Sequence, residues 1–243
     1  MQLIKLDAID STNDYLKRLS TTGHVTNFTV VTTENQTNGR GQMGSKWVSE
    51  TGKNLTMSIL IKDVLTDISG IYNLNIAVTI GVIKALEKYH IPKLSIKWPN
   101  DILSDDKKIG GILIENSIKT SGEVISIIGI GLNINQKNFE DLPKASSVSL
   151  IMGTEFDKEE ILKAIVNAIK VNTGRLMSNE ASKLWDIYLQ KLFKKGVPMP
   201  FENQQGQQFM GIIQAVSEDG KLQLLVEDDS VQSFGVKEIQ MLY

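Results

Sequence analysis

Residues 32–47 form a polar segment with several glycines between two apolar stretches, and this position restricts the fold of the chain. The glycines have the spacing Gly-x-Gly-x-x-Gly, which is also the fingerprint of dinucleotide-binding folds. In those folds the glycines join a strand directly to a helix. Here residues 28–31 and 54–61, on either side, have the β-branched composition or the apolar alternation of strands. The segment therefore joins two strands, which excludes a Rossmann loop, and no P-loop ending is present. An anion-binding loop and an ordinary surface loop are the alternatives.

The remaining apolar periodicity predicts an α+β fold. A long helix is expected over about residues 69–89, and a hairpin is expected at residues 119–122. Strands joined by hairpins, together with one long helical crossover, indicate a mixed β-sheet flanked by helices. The predicted strands of this sheet are residues 3–9, 28–31, 54–61, 94–101, 109–115 and 124–130.

A smaller β-domain is expected after the last amphipathic helix, which ends near residue 191. The composition changes between residues 194 and 200, and short alternating segments then predict a small barrel or sheet. We expect a catalytic domain of residues 1–194 and a C-terminal domain of residues 195–243. The predicted C-terminal strands are residues 208–216, 221–226 and 231–236.

Composition limits the chemistry that the chain can perform. It has 243 residues, a formal net charge of −2 and no cysteine. The absence of cysteine excludes disulfides, a thiol nucleophile and cysteine-ligated metals. The net charge shows no excess of basic residues, which argues against binding of nucleic acids through overall charge. His24 and His90 are far apart in sequence, which argues against a histidine metal site or a Ser-His-Asp triad. The sequence contains no signal peptide or membrane-spanning stretch, so we expect a cytoplasmic protein with no membrane partner.

The positions of the cationic residues point to an anionic ligand. Arg40 is the only one of three arginines that lies in the glycine segment, where a guanidinium suits a phosphate or a carboxylate. Lys97 and Lys108 flank Asn100 and Asp101 on elements that can face one cleft. Cations beside a candidate Mg²⁺ ligand, Asp101, suit phosphoryl or nucleotidyl transfer, because catalysis there depends on positioning and charge neutralisation. The residues alone therefore indicate an anion-binding enzyme and a candidate for nucleotide use, without naming a substrate.

A polar cluster follows the first predicted strand. Ser11 or Thr12 is a suitable N-cap for a helix, and Asp14 places negative charge in the first turn of that helix. Helix capping alone would account for these residues. Such a cluster at the end of a strand is also a place where proteins hold small polar ligands.

Five motifs stand in the order found in biotin protein ligases, and on these motifs the chain resembles that family. The C-terminal strands resemble the SH3-like C-terminal domain of the same family. The motifs are Ser11-Thr12-Asn13; Gln36 with Gly39-Arg40-Gly41, Gly44 and Trp47; Lys97-Trp98-Pro99-Asn100-Asp101; Lys107-Lys108-Ile109-Gly110-Gly111-Ile112-Leu113-Ile114-Glu115; and Gly129-Ile130-Gly131-Leu132-Asn133.

The resemblance implies a two-step reaction with ATP and biotin as substrates and Mg²⁺ as the accompanying ion. Biotinyl-5′-AMP would form first, and biotin would then pass to a lysine of a biotin carboxyl carrier protein, usually that of acetyl-CoA carboxylase. The chain starts at the first strand of the main domain, so we expect a monofunctional ligase without an N-terminal DNA-binding domain and without DNA as a partner. Either a monomer or a homodimer is compatible with the sequence.

The resemblance also implies roles for individual residues. Arg40 and Lys108 would stabilise the developing charge on the α-phosphate, and Asp101 would deprotonate the carrier lysine. Asp101 is also the candidate Mg²⁺ ligand, through the phosphates. The implied biotin-binding residues are Ser11, Thr12, Asn13, Gln36, Arg40, Gly41, Gln42, Lys108 and Gly111. The implied ATP- or adenylate-binding residues are Arg40, Trp47, Lys97, Asn100, Lys108 and Asn133.

One position departs from the family pattern. Biotin protein ligases often carry a second arginine two residues after the first, and this chain has Gln42 there. Glutamine removes a charge near the adenylate, which puts in doubt how tightly the intermediate is held. We expect Lys46 or Lys53 to compensate in part.

Three other functions are weighed against biotin ligation. A lipoate or octanoate ligase or transferase has a related fold, and Trp47 together with Trp98-Pro99-Asn100-Asp101 favours biotin over it. A non-catalytic protein that binds biotin or a nucleotide would release no pyrophosphate. A nucleic-acid adaptor built on the C-terminal strands is disfavoured by Glu227-Asp228-Asp229.

Overall fold

The computed structural model describes residues 2–22, 25–65, 70–119, 123–140 and 142–243. Strands dominate the first half and the C-terminal end, and helices lie between them. The elements of the first part are β1 (Leu3–Ile9), α1 (Thr12–Thr22), β2 (Val30–Gln36), β3 (Leu55–Lys62), α2 (Ile71–Glu87), β4 (Leu94–Lys97), β5 (Asp101–Ser104), β6 (Lys107–Ile118) and β7 (Val124–Leu132). Those of the second part are α3 (Val148–Met152), α4 (Lys158–Met177), α5 (Ala181–Lys191), β8 (Pro198–Asn203), β9 (Gln208–Val216), β10 (Leu222–Val226), β11 (Val231–Phe234) and β12 (Ile239–Met241).

The main sheet has the strand order β1-β2-β3-β7-β6-β5-β4. Strands β1 and β2 are parallel and are joined by α1, whereas the other neighbours in the sheet are antiparallel. The sheet is therefore mixed and has helices against it, so the predicted α+β class is confirmed. None of the helices described in the structure is both long and apolar enough to cross a membrane.

Strand β3 lies near the centre of this sheet, and its successive side chains pack alternately on the two faces of the sheet. Met57 and Ile59 belong to the large core that includes α2 and α4, while Leu60 packs with Leu16 of α1 on the opposite face. Ser58 is on the same face as Leu60 and is fully buried. A buried hydroxyl on a core strand needs a hydrogen-bond partner, so a polar group has to lie next to Ser58 on this face of the sheet.

The C-terminal strands form a five-stranded antiparallel sheet in the order β11-β10-β9-β8-β12. Its buried residues Phe201, Ile213 and Leu224 belong to the same apolar cluster as the core of the main sheet. The indole N–H of Trp98 also donates a hydrogen bond of 2.9 Å to the carbonyl of Gly220. The small β-domain predicted from the sequence is thus present and packs against the larger part. The boundary between residues 194 and 195 stays a prediction.

Several predicted bounds differ from the structure. Strand β2 begins at Val30, because Phe28 has a left-handed backbone (φ 59°), and it continues through the threonines to Gln36. The polar segment is therefore shorter than predicted. The strand predicted at 94–101 ends at Lys97, and strands β5, β8 and β12 and helix α3 were not predicted from the sequence. The hairpin expected at 119–122 and the first residue of the predicted helix at 69–89 fall, at 120–122 and 69, outside the described residues.

A matched pair of glycines tests the packing of α2 against α4. A methyl group on Gly81 would lie 2.8 Å from Cγ1 of Ile169 and 3.1 Å from its backbone nitrogen, whereas nothing lies within 4 Å of one on Gly174. We expect Gly81→Ala to lower the free energy of unfolding by about 1–3 kcal/mol through overpacking. Gly174→Ala should raise it by about 0.5–1 kcal/mol, because alanine is the better helix former. Urea denaturation measures both, and a change of the same sign in the two variants would contradict this packing.

Candidate active site

A cavity of about 650 Å³ opens between the main sheet, the loop after β2 and the C-terminal sheet. It contains almost all the residues that the sequence singled out, from five separate segments of the chain. The predicted site residues that line it are Ser11, Thr12, Asn13, Gln36, Arg40, Gly41, Gln42, Trp47, Lys97, Asn100, Asp101, Lys108 and Gly111.

One end of the cavity is built from uncharged polar side chains at the start of α1. The hydroxyl of Ser11 accepts a hydrogen bond from the backbone of Asp14, as expected of an N-cap. Gln36 accepts the backbone N–H of Thr12 at 2.9 Å. The hydroxyl of Ser58 lies 2.7 Å from that of Thr12 and 2.6 Å from Oδ1 of Asn13. These groups are buried and fixed relative to one another, so this end presents a preorganised set of donors and acceptors.

Two glycines of β7 make room for the side chains above the sheet. A methyl group on Gly129 would come within 2.6 Å of Oδ1 of Asn13, and one on Gly131 within 2.5 Å of the Trp47 ring. The indole of Trp47 therefore lies directly against the backbone of β7. Its N–H is buried and has no hydrogen-bond partner among the described residues. The wall beside the polar end is consequently aromatic.

Arg40 is held at the edge of the cavity by two carboxylates. Its guanidinium lies 2.5 Å from Oδ1 of Asp14 and 3.3 Å from Oε2 of Glu115. The same carboxylate oxygen of Glu115 accepts a hydrogen bond of 2.7 Å from the amide of Asn13. Glu115 thus connects the polar end to the glycine loop.

The other end of the cavity is cationic and comes from the β4–β5–β6 meander. The ammonium of Lys108 lies 2.5 Å from Oδ1 of Asp101, and that of Lys97 lies 4.0 Å from Oδ2. Burial lowers the pKa of Lys97, and the positive charges of Lys108 and Lys144 lower it further, while Asp101 opposes the shift. The turn between β4 and β5 contains a cis Trp98–Pro99 peptide, and there the amide of Asn100 donates a hydrogen bond of 2.8 Å to the carbonyl of Ile112.

The charge around the cavity is very different from that of the whole chain. Its lining contains the five cations Arg40, Lys46, Lys97, Lys108 and Lys237 and the two carboxylates Asp101 and Glu202, an excess of three positive charges, of which Asp14 and Glu115 beside Arg40 offset two. The chain as a whole carries −2. A positive concave surface with low-dielectric walls attracts polyanions. Composition alone did not reveal this local excess.

Two predicted residues lie outside this lining. Asn133 is buried, and its amide donates a hydrogen bond of 3.1 Å to the carbonyl of Ser146, so it holds two parts of the backbone together. Of the two lysines expected to compensate for Gln42, Lys46 lines the cavity and Lys53 does not. In the described part of the chain, no group of three or more His, Cys, Asp or Glu residues forms a metal-binding cluster.

Other residues of the site were missed from the sequence, and two of them, Ser58 and Glu115, support the lining without being part of it. Ser58 makes the central contacts of the polar end, and strand alternation would have placed it on the face of β3 that α1 covers. Glu115 ends the fourth motif but was given no role; it lies two strand positions after Leu113, which lines the cavity, so the same alternation predicts its side. The C-terminal sheet adds Glu202, Gln204 and Lys237. Nothing in the sequence signals these three, because their position depends on how the two sheets pack.

Comparison with known proteins identifies the family. Residues 6–135 match the sequence model of the Biotin/lipoate A/B protein ligase family. The chain belongs to this family. Similar sequences include the bifunctional ligase/repressor BirA of Bacillus spizizenii, which is 29% identical over an alignment of 194 residues that covers 76% of this chain and 59% of that protein. The biotin–[acetyl-CoA-carboxylase] ligase of Mycobacterium tuberculosis is 25% identical over 87% of this chain and 79% of its own length.

Solved structures of the family share the complete fold. The biotin protein ligase from Aquifex aeolicus in complex with biotin and ATP superposes with a TM-score of 0.81 and 26% identity, over 99% of this chain and 98% of that one. The similarity therefore includes the C-terminal sheet. In contrast, the chain spans 59% of the length of the Bacillus spizizenii protein and 41% of that of the bifunctional ligase/repressor BirA of Escherichia coli.

The positive charge of the cavity lining predicts that this protein binds inorganic pyrophosphate. At about 0.05 M salt we expect pyrophosphate to raise the melting temperature by a few degrees, and at about 0.5 M salt most of this rise should be lost. Arg40→Gln should weaken the effect. Arg18→Gln is the matched control, because it removes an exposed arginine that pairs with Asp10 and does not line the cavity. An equal loss in the two variants would show that only net charge matters.

Proposed function

We propose that this chain is an ATP-dependent biotin protein ligase. It forms biotinyl-5′-AMP and pyrophosphate and then transfers biotin to a lysine of a biotin carboxyl carrier protein. The observation that carries the proposal is the arrangement of one cavity with an uncharged hydrogen-bonding end and a cationic end. An uncharged ureido ring and a triphosphate, joined in one reaction, need these two environments side by side.

The polar end suits the ring system of biotin. A buried ureido group loses water and therefore needs protein donors and acceptors in return. Thr12, Asn13 and Gln36 supply them at the start of α1, and Ser58 fixes their orientation. Trp47 provides an apolar aromatic surface beside them. The aliphatic part of biotin can lie there while its carboxylate extends toward the cations.

The cationic end suits the first half-reaction. An oxygen of the biotin carboxylate attacks the α-phosphorus of ATP, the bond to the β-phosphate oxygen breaks, and pyrophosphate leaves. Arg40 and Lys108 neutralise charge on the reacting groups, which is the main contribution a protein makes to such a transfer. Mg²⁺ enters with the substrate as MgATP, and its main ligands are the phosphate oxygens. Of the two carboxylates in the cavity lining, Asp101 is the one at the cationic end. Its Oδ1 is already bound by Lys108.

The second half-reaction requires a neutral amine. The carrier lysine attacks the acyl carbon of the adenylate, AMP leaves, and the amine gives up a proton. We assign the uptake of this proton to Asp101, a lining carboxylate that lies beside Lys97 and Lys108. An ammonium cannot act as a nucleophile, so the proton must leave before or during attack.

The partner in this proposal is a biotin carboxyl carrier domain such as that of acetyl-CoA carboxylase. This choice is supported by the names of the similar proteins, among them the ligase of Mycobacterium tuberculosis. A cytoplasmic location goes with the proposal and fits the absence of cysteine. Both a monomer and a homodimer remain compatible with it, and the expectation that the chain does not bind DNA stays a prediction.

The decisive experiment compares biotin with lipoate in ATP–pyrophosphate exchange and then follows labelled biotin onto a purified carrier domain. Exchange with biotin but not with lipoate, followed by transfer, supports the proposal. Exchange with lipoate alone would favour the lipoate or octanoate alternative. Ligand binding without any exchange would favour a non-catalytic binding protein.

Two adjacent lysines provide a matched test of the cationic end. Lys108→Gln should lower the exchange rate about 10²–10³-fold, because it removes a charge aimed at the reacting phosphate. Lys107→Gln removes the same charge one residue earlier. Its ammonium bonds to the carbonyl of Pro143 and does not line the cavity, so exchange should stay within about twofold. Circular dichroism and melting temperature control for folding. Similar losses in both variants would remove Lys108 from the proposed mechanism.

Two buried serines provide a matched test of the polar end. Ser58→Ala removes the buried donor to Oδ1 of Asn13 and should weaken biotin binding about tenfold, as measured by calorimetry. Ser126→Ala removes an equally buried hydroxyl that bonds to Asn116, away from the cavity. This variant should lose stability but keep the affinity for biotin. Unchanged affinity in the Ser58 variant would contradict the placement of biotin at this end.

A further inference from the structure

Lys237 brings a cation from the C-terminal sheet to the glycine loop. It lies in the turn between β11 and β12, where its backbone is left-handed (φ 68°), and it lines the cavity. Glu238 fixes this turn by accepting the backbone N–H of Gly235 at 2.6 Å. The side chain thus extends from a constrained position.

The ammonium of Lys237 donates a hydrogen bond of 2.5 Å to the carbonyl of Met43, 194 residues earlier in the chain. Met43 lies in the short 3₁₀ turn Gln42–Gly44 and has left-handed dihedral angles (φ 52°, ψ 42°). Its side chain is 60% exposed, so packing does not hold this conformation. A left-handed non-glycine residue costs free energy and persists where its surroundings fix it. The bond from Lys237 provides such a restraint.

The charge of Lys237 is also uncompensated. In the described part of the chain no carboxylate lies within 4.0 Å of its ammonium, whereas Arg40, Lys97 and Lys108 all have one within that distance. An ammonium has three N–H donors, and the bond to Met43 uses one of them. Its positive charge therefore adds to the potential of the cavity at the point where position 42 carries an uncharged glutamine.

We propose that Lys237 is a positioning residue that ties the glycine loop to the C-terminal sheet and so retains biotinyl-5′-AMP between the two half-reactions. This inference rests on the proposed function. The loop carries Arg40 and Trp47, and it covers the cavity only while the turn at Met43 is held. With the loop tied, the adenylate stays enclosed until the carrier lysine arrives. Without the tie, the loop opens more often and the adenylate leaves.

The test compares Lys237→Met with Lys195→Met. Both variants lose one ammonium from the C-terminal part and keep an unbranched side chain, but Lys195 does not line the cavity. Wild-type biotin-dependent pyrophosphate exchange is measured first. Each protein then forms the adenylate from labelled biotin and ATP, and its release is followed after rapid gel filtration. We expect release of the adenylate to be about tenfold faster for Lys237→Met than for wild type. Lys195→Met should behave as wild type, and Lys237→Arg should restore retention, because arginine also donates to a carbonyl.

Amide hydrogen exchange at residues 42–47 provides a readout that needs no substrate. Exchange should be faster in Lys237→Met than in wild type and unchanged in Lys195→Met. Wild-type release and wild-type loop exchange in Lys237→Met would overturn the inference, and so would equal acceleration of release in both methionine variants. If wild type shows no biotin-dependent pyrophosphate exchange, the proposed function fails. Loop exchange then decides by itself whether Lys237 holds the loop.

Discussion

A line of polar contacts from Ser58 through Asn13 and Glu115 to Arg40 holds the candidate site together. It begins on a core strand, passes the start of α1 and ends on the glycine loop. Ser58 and Asn13 are buried and Glu115 is half-buried, so a missing partner there would leave an unsatisfied polar group of considerable cost, whereas Arg40 at the end of the line is exposed. The contacts therefore fix four separate segments, β3, α1, β6 and the glycine loop, relative to one another. They also give Arg40 two carboxylate partners, and an anionic ligand has to compete with these for the guanidinium.

The topology of the main sheet explains how these segments meet. The parallel pair β1 and β2 brings the start of α1 beside the start of the loop, because both follow the same end of the sheet. The antiparallel meander of β4, β5 and β6 places Lys97 opposite Asp101, and Asp101 opposite Gly111. The first unit thus supplies the uncharged groups together with Arg40, and the meander supplies Lys97 and Lys108. The single cavity between them follows from the order of strands in the sheet.

The sequence was informative where a local pattern determines the outcome. The first strand and β9 have the predicted bounds, since apolar alternation and a following turn or cap define them locally. Most predicted site residues came from motifs at strand ends and line one cavity. Strand β8 was missed because Pro198 and Pro200 suggested a boundary. In the sheet these prolines pair with β9, whereas β12 pairs with Phe201–Asn203, so their missing N–H groups are tolerated. Lys237 and Glu202 could not be predicted at all, because only the packing of two sheets brings them to the cavity.

Asp101 pairs with both Lys97 and Lys108, so a role of Asp101 in proton uptake has to be distinguished from its role as the counter-charge of the two lysines. Two ammonium groups in a half-buried place repel each other, and burial already lowers the pKa of Lys97. The carboxylate of Asp101 lies between them and offsets part of both costs. Replacing it by an amide would remove a proposed base and also the counter-charge that holds two lysines near the phosphates. Loss of activity in such a variant therefore combines two effects, and the first half-reaction, which needs no base, separates them. A defect already present in pyrophosphate exchange reports the counter-charge, whereas a defect confined to transfer reports proton uptake.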